Sequence, residues 1–118
     1  MINNAGLNRV IALLNTELTV IAVGTGAAPG AADEQLTTEL IRKLVSESTV
    51  DGFTLIKELY LDTSEGNGAL TELGLLGEGA DATPASGKLF ASGAASTTKT
   101  DTQTLTVSFE IEVKEVTV

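Results

Sequence analysis

The chain has 118 residues, of which 42% are hydrophobic but only 3% aromatic, and its net charge is −9. This length suits one domain, residues 1–118, with a single core, and the excess of acidic side chains repels nucleic acid. Neither cysteine nor histidine occurs, which excludes disulfides, thiol nucleophiles and imidazole bases or ligands. We therefore predict a protein that is not an enzyme and that binds no cofactor, metal or nucleic acid.

No segment of the sequence has the character of a membrane span or a secretory leader. The longest apolar runs are far shorter than the ~20 residues that a bilayer-spanning helix needs. The first residues carry no basic side chain, and Asn8 and Arg9 interrupt the apolar residues around them. We expect a protein that is soluble where it is made, in the cytoplasm, and that has no membrane partner.

The N-terminal segment has the spacing of an amphipathic helix, predicted over about residues 4–16. Asn3 and Asn4 can cap it, and Asn15-Thr16 closes it. Its apolar residues recur at helical intervals: Leu7, Val10, Ile11 and Leu14. This stripe either faces the core of the domain, which we favour, or binds a partner. Both interpretations hold if the helix lies at a subunit boundary.

Strands and glycine-rich loops are predicted to follow the helix. Residues 18–23 form a buried strand, because apolar side chains occur on both of its faces. Residues 24–32, which include Gly24, Gly26 and Pro29, favour a flexible surface loop, and residues 33–35 a short helical turn. Residues 39–49 fit either a helix or an extended segment. We favour a strand, because residues 53–62 form a suitable partner strand after a tight turn at 50–52.

The second half of the chain continues this pattern. We predict a strand at 69–76, a loop at 77–87, a short strand at 88–93 and a polar connection at 94–101. In the last segment, every second residue is apolar: Leu105, Val107, Phe109, Ile111 and Val113. Such alternation is typical of a half-buried strand. Beyond it, Val116 and Val118 break the phase that Val113 sets.

Many short strands between glycine-rich turns are typical of closed or double-sheet β architectures. The predicted fold is therefore mainly β, a jelly-roll-like sandwich or barrel with one N-terminal α-helix. Because alanine contributes much of the apolar content and small side chains bury little area, a single copy would have a thin core. We therefore expect the protein to associate with other subunits.

Two groups of residues have some features of a binding site, but each fits a structural role better. Gly24-Thr25-Gly26 begins like a dinucleotide-binding fingerprint, yet the position of the third glycine holds Pro29. The second group offers the oxygen ligands of a calcium loop: Asp62, Ser64, Glu65 and Asn67. Its spacing differs from that of an EF-hand, so we interpret it as a turn.

Glu58 and Glu72 are candidates for the paired carboxylates that sugar hydrolases use as acid and base. With 16 acidic residues in the chain, such pairs arise by chance. The chain also has no tryptophan and one tyrosine to form a platform for a sugar ring. We interpret both glutamates as residues on solvent-exposed strand faces.

The order of segments resembles a family of small virion proteins of tailed phages, described as capsid decoration, cement or tail-fibre-like proteins. The matching segments cover nearly the whole chain: Asn4-Ala5-Gly6-Leu7-Asn8, Thr19-Val20-Ile21-Ala22-Val23-Gly24-Thr25-Gly26, Ala31-Ala32-Asp33 with Leu36 and Glu39, Thr71-Glu72-Leu73-Gly74-Leu75-Leu76, Ser86-Gly87-Lys88-Leu89, and Lys99-Thr100 before Leu105-Thr106-Val107. The resemblance implies a structural role on the virion surface and no enzyme activity.

We expect a capsid decoration or cement protein that binds and stabilises the assembled head shell as a homotrimer, with the major capsid protein as its partner. The alternative is an adaptor in the tail or fibre, bound to tail proteins. A small glycan-binding module is less favoured. The predicted subunit or capsid contacts lie in the helix, the 24–32 loop and the C-terminal tail: Leu7, Val10, Ile11, Leu14, Gly24, Thr25, Gly26, Pro29, Val116 and Val118.

Overall fold

The computed structural model describes residues 1–116. One helix precedes seven strands: α1 (Asn4–Glu17), β1 (Val20–Gly24), β2 (Glu39–Leu44), β3 (Glu47–Asp51), β4 (Thr54–Leu61), β5 (Gly68–Gly77), β6 (Lys88–Lys99) and β7 (Leu105–Glu112). The strands form a four-stranded sheet in the order β2-β1-β5-β6 and a three-stranded sheet in the order β3-β4-β7. Every pairing is antiparallel. The predicted mainly β, sandwich-like fold with one N-terminal helix is confirmed.

The main core lies between the two sheets. It contains alternate residues of the central strands, such as Ile21 and Val23 of β1 with Leu55 and Leu59 of β4, and α1 contributes Ile11. Strands expose alternate side chains on opposite faces, so a period of two in the sequence places one set of residues in this layer. The alternation at Leu105, Val107, Phe109 and Ile111 follows this rule, because these residues stand opposite core-facing positions of β4.

The outer face of the four-stranded sheet is buried as well. Val20, Ala22 and Leu76 form a second apolar cluster there, which is covered by Leu36 and Ala80 from two loops. This explains why every residue of β1 is buried and why its sequence shows no alternation. The prediction of a strand buried on both faces is confirmed.

Three local predictions are wrong. Residues 33–35 form no helical turn, and Asp33 instead accepts a hydrogen bond from Gly30 N–H. Residues 39–49 form two strands, because the chain crosses from one sheet to the other at Val45 and Ser46. Strand β6 extends to Lys99, where a polar connection was predicted, because Thr97, Thr98 and Lys99 pair with the start of β5.

The predicted N-cap of the helix and the predicted hairpin turn at 50–52 have different outcomes. Asn3 occupies the N-cap position of α1 with an extended backbone, but its side chain makes no capping hydrogen bond. Its carbonyl accepts the bond from Leu7 N–H instead. Gly52 forms the turn between β3 and β4 with a φ of 61°, a conformation that favours glycine. That turn follows Asp51, as the hairpin prediction requires.

Candidate interaction surfaces

The apolar residues of α1 are divided between the core and the surface. Leu7 and Ile11 are buried and Leu14 is half-buried, so these three residues pack inside the domain. Val10 is 40% exposed, and Leu13, which is not one of the predicted contacts, is 71% exposed. Of the predicted helix residues, only Val10 is therefore largely available to a partner.

The two ends of the described chain lie together beside this helix. The N-terminal ammonium is 3.6 Å from Glu115 Oε1, and Ile2 N–H donates to Glu115 Oε2. The side chain of Ile2 covers Gly6, one helical turn before Val10. We call the exposed apolar residues here the terminal patch: Met1, Ile2, Val10, Leu13 and Val116. Two predicted contact segments thus lie near each other, while Val118 lies outside the described residues.

Glu72 fixes both ends of the loop between β1 and β2. Its side chain is fully buried and accepts hydrogen bonds from Gly26 N–H at 2.8 Å, Thr37 N–H at 2.7 Å and Thr38 N–H at 2.8 Å. A buried carboxylate requires such partners. The interpretation of Glu72 as a solvent-exposed residue is wrong, and the predicted flexibility of the loop is restricted where it meets the sheet.

The predicted contact residues of this loop have different roles. A Cβ on Gly24 would lie 2.6 Å from Glu72 Oε2, and one on Gly26 would lie 2.7 Å from the same oxygen. Both glycines therefore leave space for the buried carboxylate. Thr25 is exposed and Pro29 half-buried, so these two residues remain accessible.

The loop and the helix adjoin opposite ends of β1. Val20, which pairs with Leu76, is close to the end of α1, where Glu17 lies against Gly77. Gly24, which pairs with Glu72, leads into the loop at the other end of the strand. The structure thus places the two predicted contact elements at opposite ends of β1.

Glu58 and Glu72 do not form a catalytic pair. Glu58 lies on the outer face of the three-stranded sheet, because its neighbours Lys57 and Leu59 face the core. Glu72 lies on the outer face of the other sheet, because its neighbour Leu73 packs against the core. Both sheets therefore separate the two carboxylates, which cannot act on one substrate.

The polar residues at 62–67 form a turn. Asp62 accepts hydrogen bonds from the Ser64 N–H and hydroxyl, which lower the pKa of its carboxyl. Glu65 accepts from Asp62 N–H and from Lys43, and these bonds lower its pKa. Over residues 1–116, no group of three or more carboxylates has the arrangement of a metal site.

A concave cavity of about 460 Å³ lies beside β2 and is lined by Leu36, Leu40 and Arg42, among others. The guanidinium group of Arg42 is buried and forms a bidentate pair with Glu39, with bonds of 2.9 and 3.0 Å. Its remaining N–H groups bond to Gln35 and to Ser86. Arg42 therefore holds two loops together and has no donor left for a ligand.

Lys57 is the one charged residue on the core-facing side of β4. Its side chain is only 3% exposed, and its ammonium donates to the Asn15 carbonyl at 2.8 Å and to Ser48 Oγ at 3.0 Å. The Asn15 carbonyl belongs to the last turn of α1, where backbone acceptors lack helical partners. Lys57 thus caps the helix, and burial lowers the pKa of its ammonium.

The sandwich is closed on one long side and open on the other. On the closed side, the chain passes between the sheets at Val45, and Lys43 of β2 donates to the Tyr60 carbonyl of β4. On the open side, β6 and β7 are edge strands of different sheets. We call the cleft between them the open seam. It includes a cavity of about 210 Å³ that is lined by five apolar and three hydroxyl-bearing residues: Leu70, Leu73, Ala95, Leu105 and Val107 with Thr97, Thr106 and Ser108.

The outer face of the three-stranded sheet is strongly acidic. Glu47 stands directly opposite Glu58 in the β3–β4 pairing, and Glu110 and Glu112 occupy the same face on β7. Carboxylates at such short range repel each other. This face therefore disfavours contact with another copy of the same face.

The chain matches no known family model and no curated protein. In residues 1–116, no helix is long and apolar enough to cross a membrane. The exposed surfaces that bear on function are the terminal patch and the open seam.

Proposed function

We propose that this chain is a structural protein of a tailed-phage virion, a capsid decoration or cement protein that acts as a homotrimer on the surface of the head. The observation that carries the proposal is the open seam, in which two strand edges flank an apolar cleft. Free edges and exposed apolar surface are features of proteins that assemble with other subunits. The resemblance of nearly the whole chain to small phage virion proteins supports the same assignment.

The roles of the buried charged groups also favour a protein that assembles with other subunits over one that catalyses a reaction. The buried charged side chains of the described residues are those of Arg42, Lys57, Glu72 and Lys99, and their hydrogen bonds tie separate segments of the chain together. A role in the virion requires such rigidity and no reacting group. The protein binds the assembled shell and stabilises it by mass action, because binding to one state lowers the free energy of that state.

The terminal patch and the exposed residues of the 24–32 loop are the surfaces proposed to contact the capsid. The major capsid protein is the partner in this assignment. Because the two surfaces adjoin opposite ends of β1, a bound copy reaches two neighbouring capsid subunits. This geometry favours a bridging role.

The number of copies per particle tests the proposal. Quantitative mass spectrometry of purified virions should find hundreds of copies, because a decoration protein covers the repeated surface of the shell. A few copies to a few dozen would replace this assignment with the tail or fibre adaptor. Absence from the virion would contradict both, and saturable binding of sugars by the isolated protein would favour a glycan-binding module.

A further inference from the structure

The edges of the open seam have no partner strand in the part of the chain that the structure describes. Strand β6 pairs with β5 and strand β7 pairs with β4, so each presents its second edge to solvent. Leu105, Phe109 and Ile111 of β7 are only half-buried, although they pack against the core. One long side of the core is thus incompletely covered.

The two strands of the seam have complementary side chains. The core-facing residues of β6 are small, and they include Ala91, Gly93 and Ala95. Those of β7 are large, and they include Val107, Phe109 and Ile111. A Cβ added to Gly93 would have no atom within 4 Å, so there is free space beside β6. The small residues of β6 thus leave room for large side chains of a partner strand.

The charges of the two strands also favour pairing of β6 from one copy with β7 from another. Strand β6 has no charged residue between Lys88 and Lys99, and Lys99 is buried with its ammonium bonded to Asn67. Strand β7 carries Glu110 and Glu112 on its outer face. Two β7 edges side by side would bring these glutamates together, whereas β6 presents no charge to them. An uncharged edge is therefore the compatible neighbour for an acidic one.

We propose that further copies of this chain cover the open seam, with β6 of one copy paired to β7 of the next in a closed ring of three. The inference rests on the homotrimer proposed above and names its interface. In this ring the strands lie along the threefold axis, and because β6 and β7 are joined by the short connection at 100–104, β6 of one copy runs antiparallel to β7 of the next. Closure of the ring pairs every seam edge and buries the apolar cleft.

The substitution Gly93→Lys tests the interface. An inward-facing lysine on an edge strand blocks strand addition, and a Cβ at position 93 would meet no atom within 4 Å. Light scattering at micromolar concentration should give about 36 kDa for the unmodified protein, three times 12.1 kDa, and 12.1 kDa for the variant. Circular dichroism should show the same strand content for both.

Thr49→Lys is the matched control, because it adds the same charge at an exposed position of β3, on the far side of the molecule. It should leave the trimer intact. A trimeric Gly93→Lys variant, or a monomeric unmodified protein, would overturn the proposed interface.

Cross-linking identifies the strand pair itself. The chain contains no cysteine, so the single variants Ser92→Cys on β6 and Glu110→Cys on β7 can be coexpressed and treated with a short bismaleimide. The ring requires cross-links between the two different variants. Products joining only Ser92→Cys to Ser92→Cys would indicate a β6–β6 dimer and overturn the proposal.

These outcomes are distinct from those of the virion experiment. A seam-dependent trimer that is absent from virions would contradict the proposed function and leave the interface standing. High copy number in virions together with a seam-independent trimer would contradict the interface alone.

Discussion

Gly24 is important for the fold because it has no side chain. Thr38 O and Glu72 Oε2 occupy the space that a Cβ would need. The sequence indicates only that a glycine-rich loop begins here. The contact with Glu72 is a tertiary property, because the two residues lie 48 positions apart in the chain.

We expect Gly24→Ala to destabilise the protein by ~1–3 kcal/mol, the usual cost of overpacking a filled site. Gly93→Ala is the matched control, since no atom lies within 4 Å of its added Cβ. It should be neutral or stabilise by up to about 1 kcal/mol, because alanine restricts the unfolded chain. Urea denaturation of both variants measures the difference. Equal effects of the two substitutions would show that the space at Gly24 is not limiting.

At the scale of elements, the end of α1 depends on a strand of the sheet below it. Lys57 interrupts the apolar pattern of β4, and the sequence alone gives no reason for this exception. The structure supplies the reason, because the ammonium satisfies the Asn15 carbonyl and joins the helix to β4. Ser48 on β3 accepts a second bond, so three elements meet at one side chain.

Lys57→Met should destabilise the protein by ~1–3 kcal/mol, because the half-buried Asn15 carbonyl at the end of α1 loses its donor. Lys114→Met removes the same charge from an exposed position and should change the free energy of unfolding by less than about 0.5 kcal/mol. Thermal or urea unfolding followed by circular dichroism measures both. A Lys57→Met variant as stable as the original would mean that desolvation of the ammonium offsets its hydrogen bonds.

The first and last residues of the strands were harder to predict from the sequence than the presence of the strands. The alternation from Leu105 to Val113 corresponds to β7, because one of its faces meets the core along its whole length. The Ser and Thr residues at the end of β6 resemble a polar connection in the sequence. They are extended because the first residues of β5 supply backbone partners there, and sequence periodicity carries no information about such pairing.

For the whole molecule, the acidic turns predict how stability responds to pH. Hydrogen bonds lower the pKa of Asp62 below its ordinary value of 3.8, that of Glu65 below 4.5 and that of Asp81 below 3.8. A carboxyl whose pKa is lower in the folded state stabilises the fold above its unfolded pKa. This contribution is lost as the pH falls through the folded values.

We therefore expect the urea midpoint to be nearly constant from pH 7 down to about pH 5 and to fall at lower pH, where the unfolded carboxyls begin to take up protons. Asp62→Asn should flatten part of this fall, because residue 62 then no longer titrates. The measurement is a series of urea titrations between pH 7 and pH 3 for both proteins. Identical pH profiles would show that the turn at Asp62 does not contribute.

The sequence by itself determined the mainly β class, the N-terminal helix and the buried character of β1. These properties depend on local periodicity and on the chemistry of glycine-rich turns. It also indicated Val10 and Thr25 as accessible positions, although Leu7, Ile11 and Gly24 from the same segments are buried. Only the tertiary structure decided that Glu72 anchors a loop, that Lys57 caps a helix and that β6 and β7 border an open seam. Each of these features joins residues distant in the chain, and their contacts arise only when the two sheets pack together.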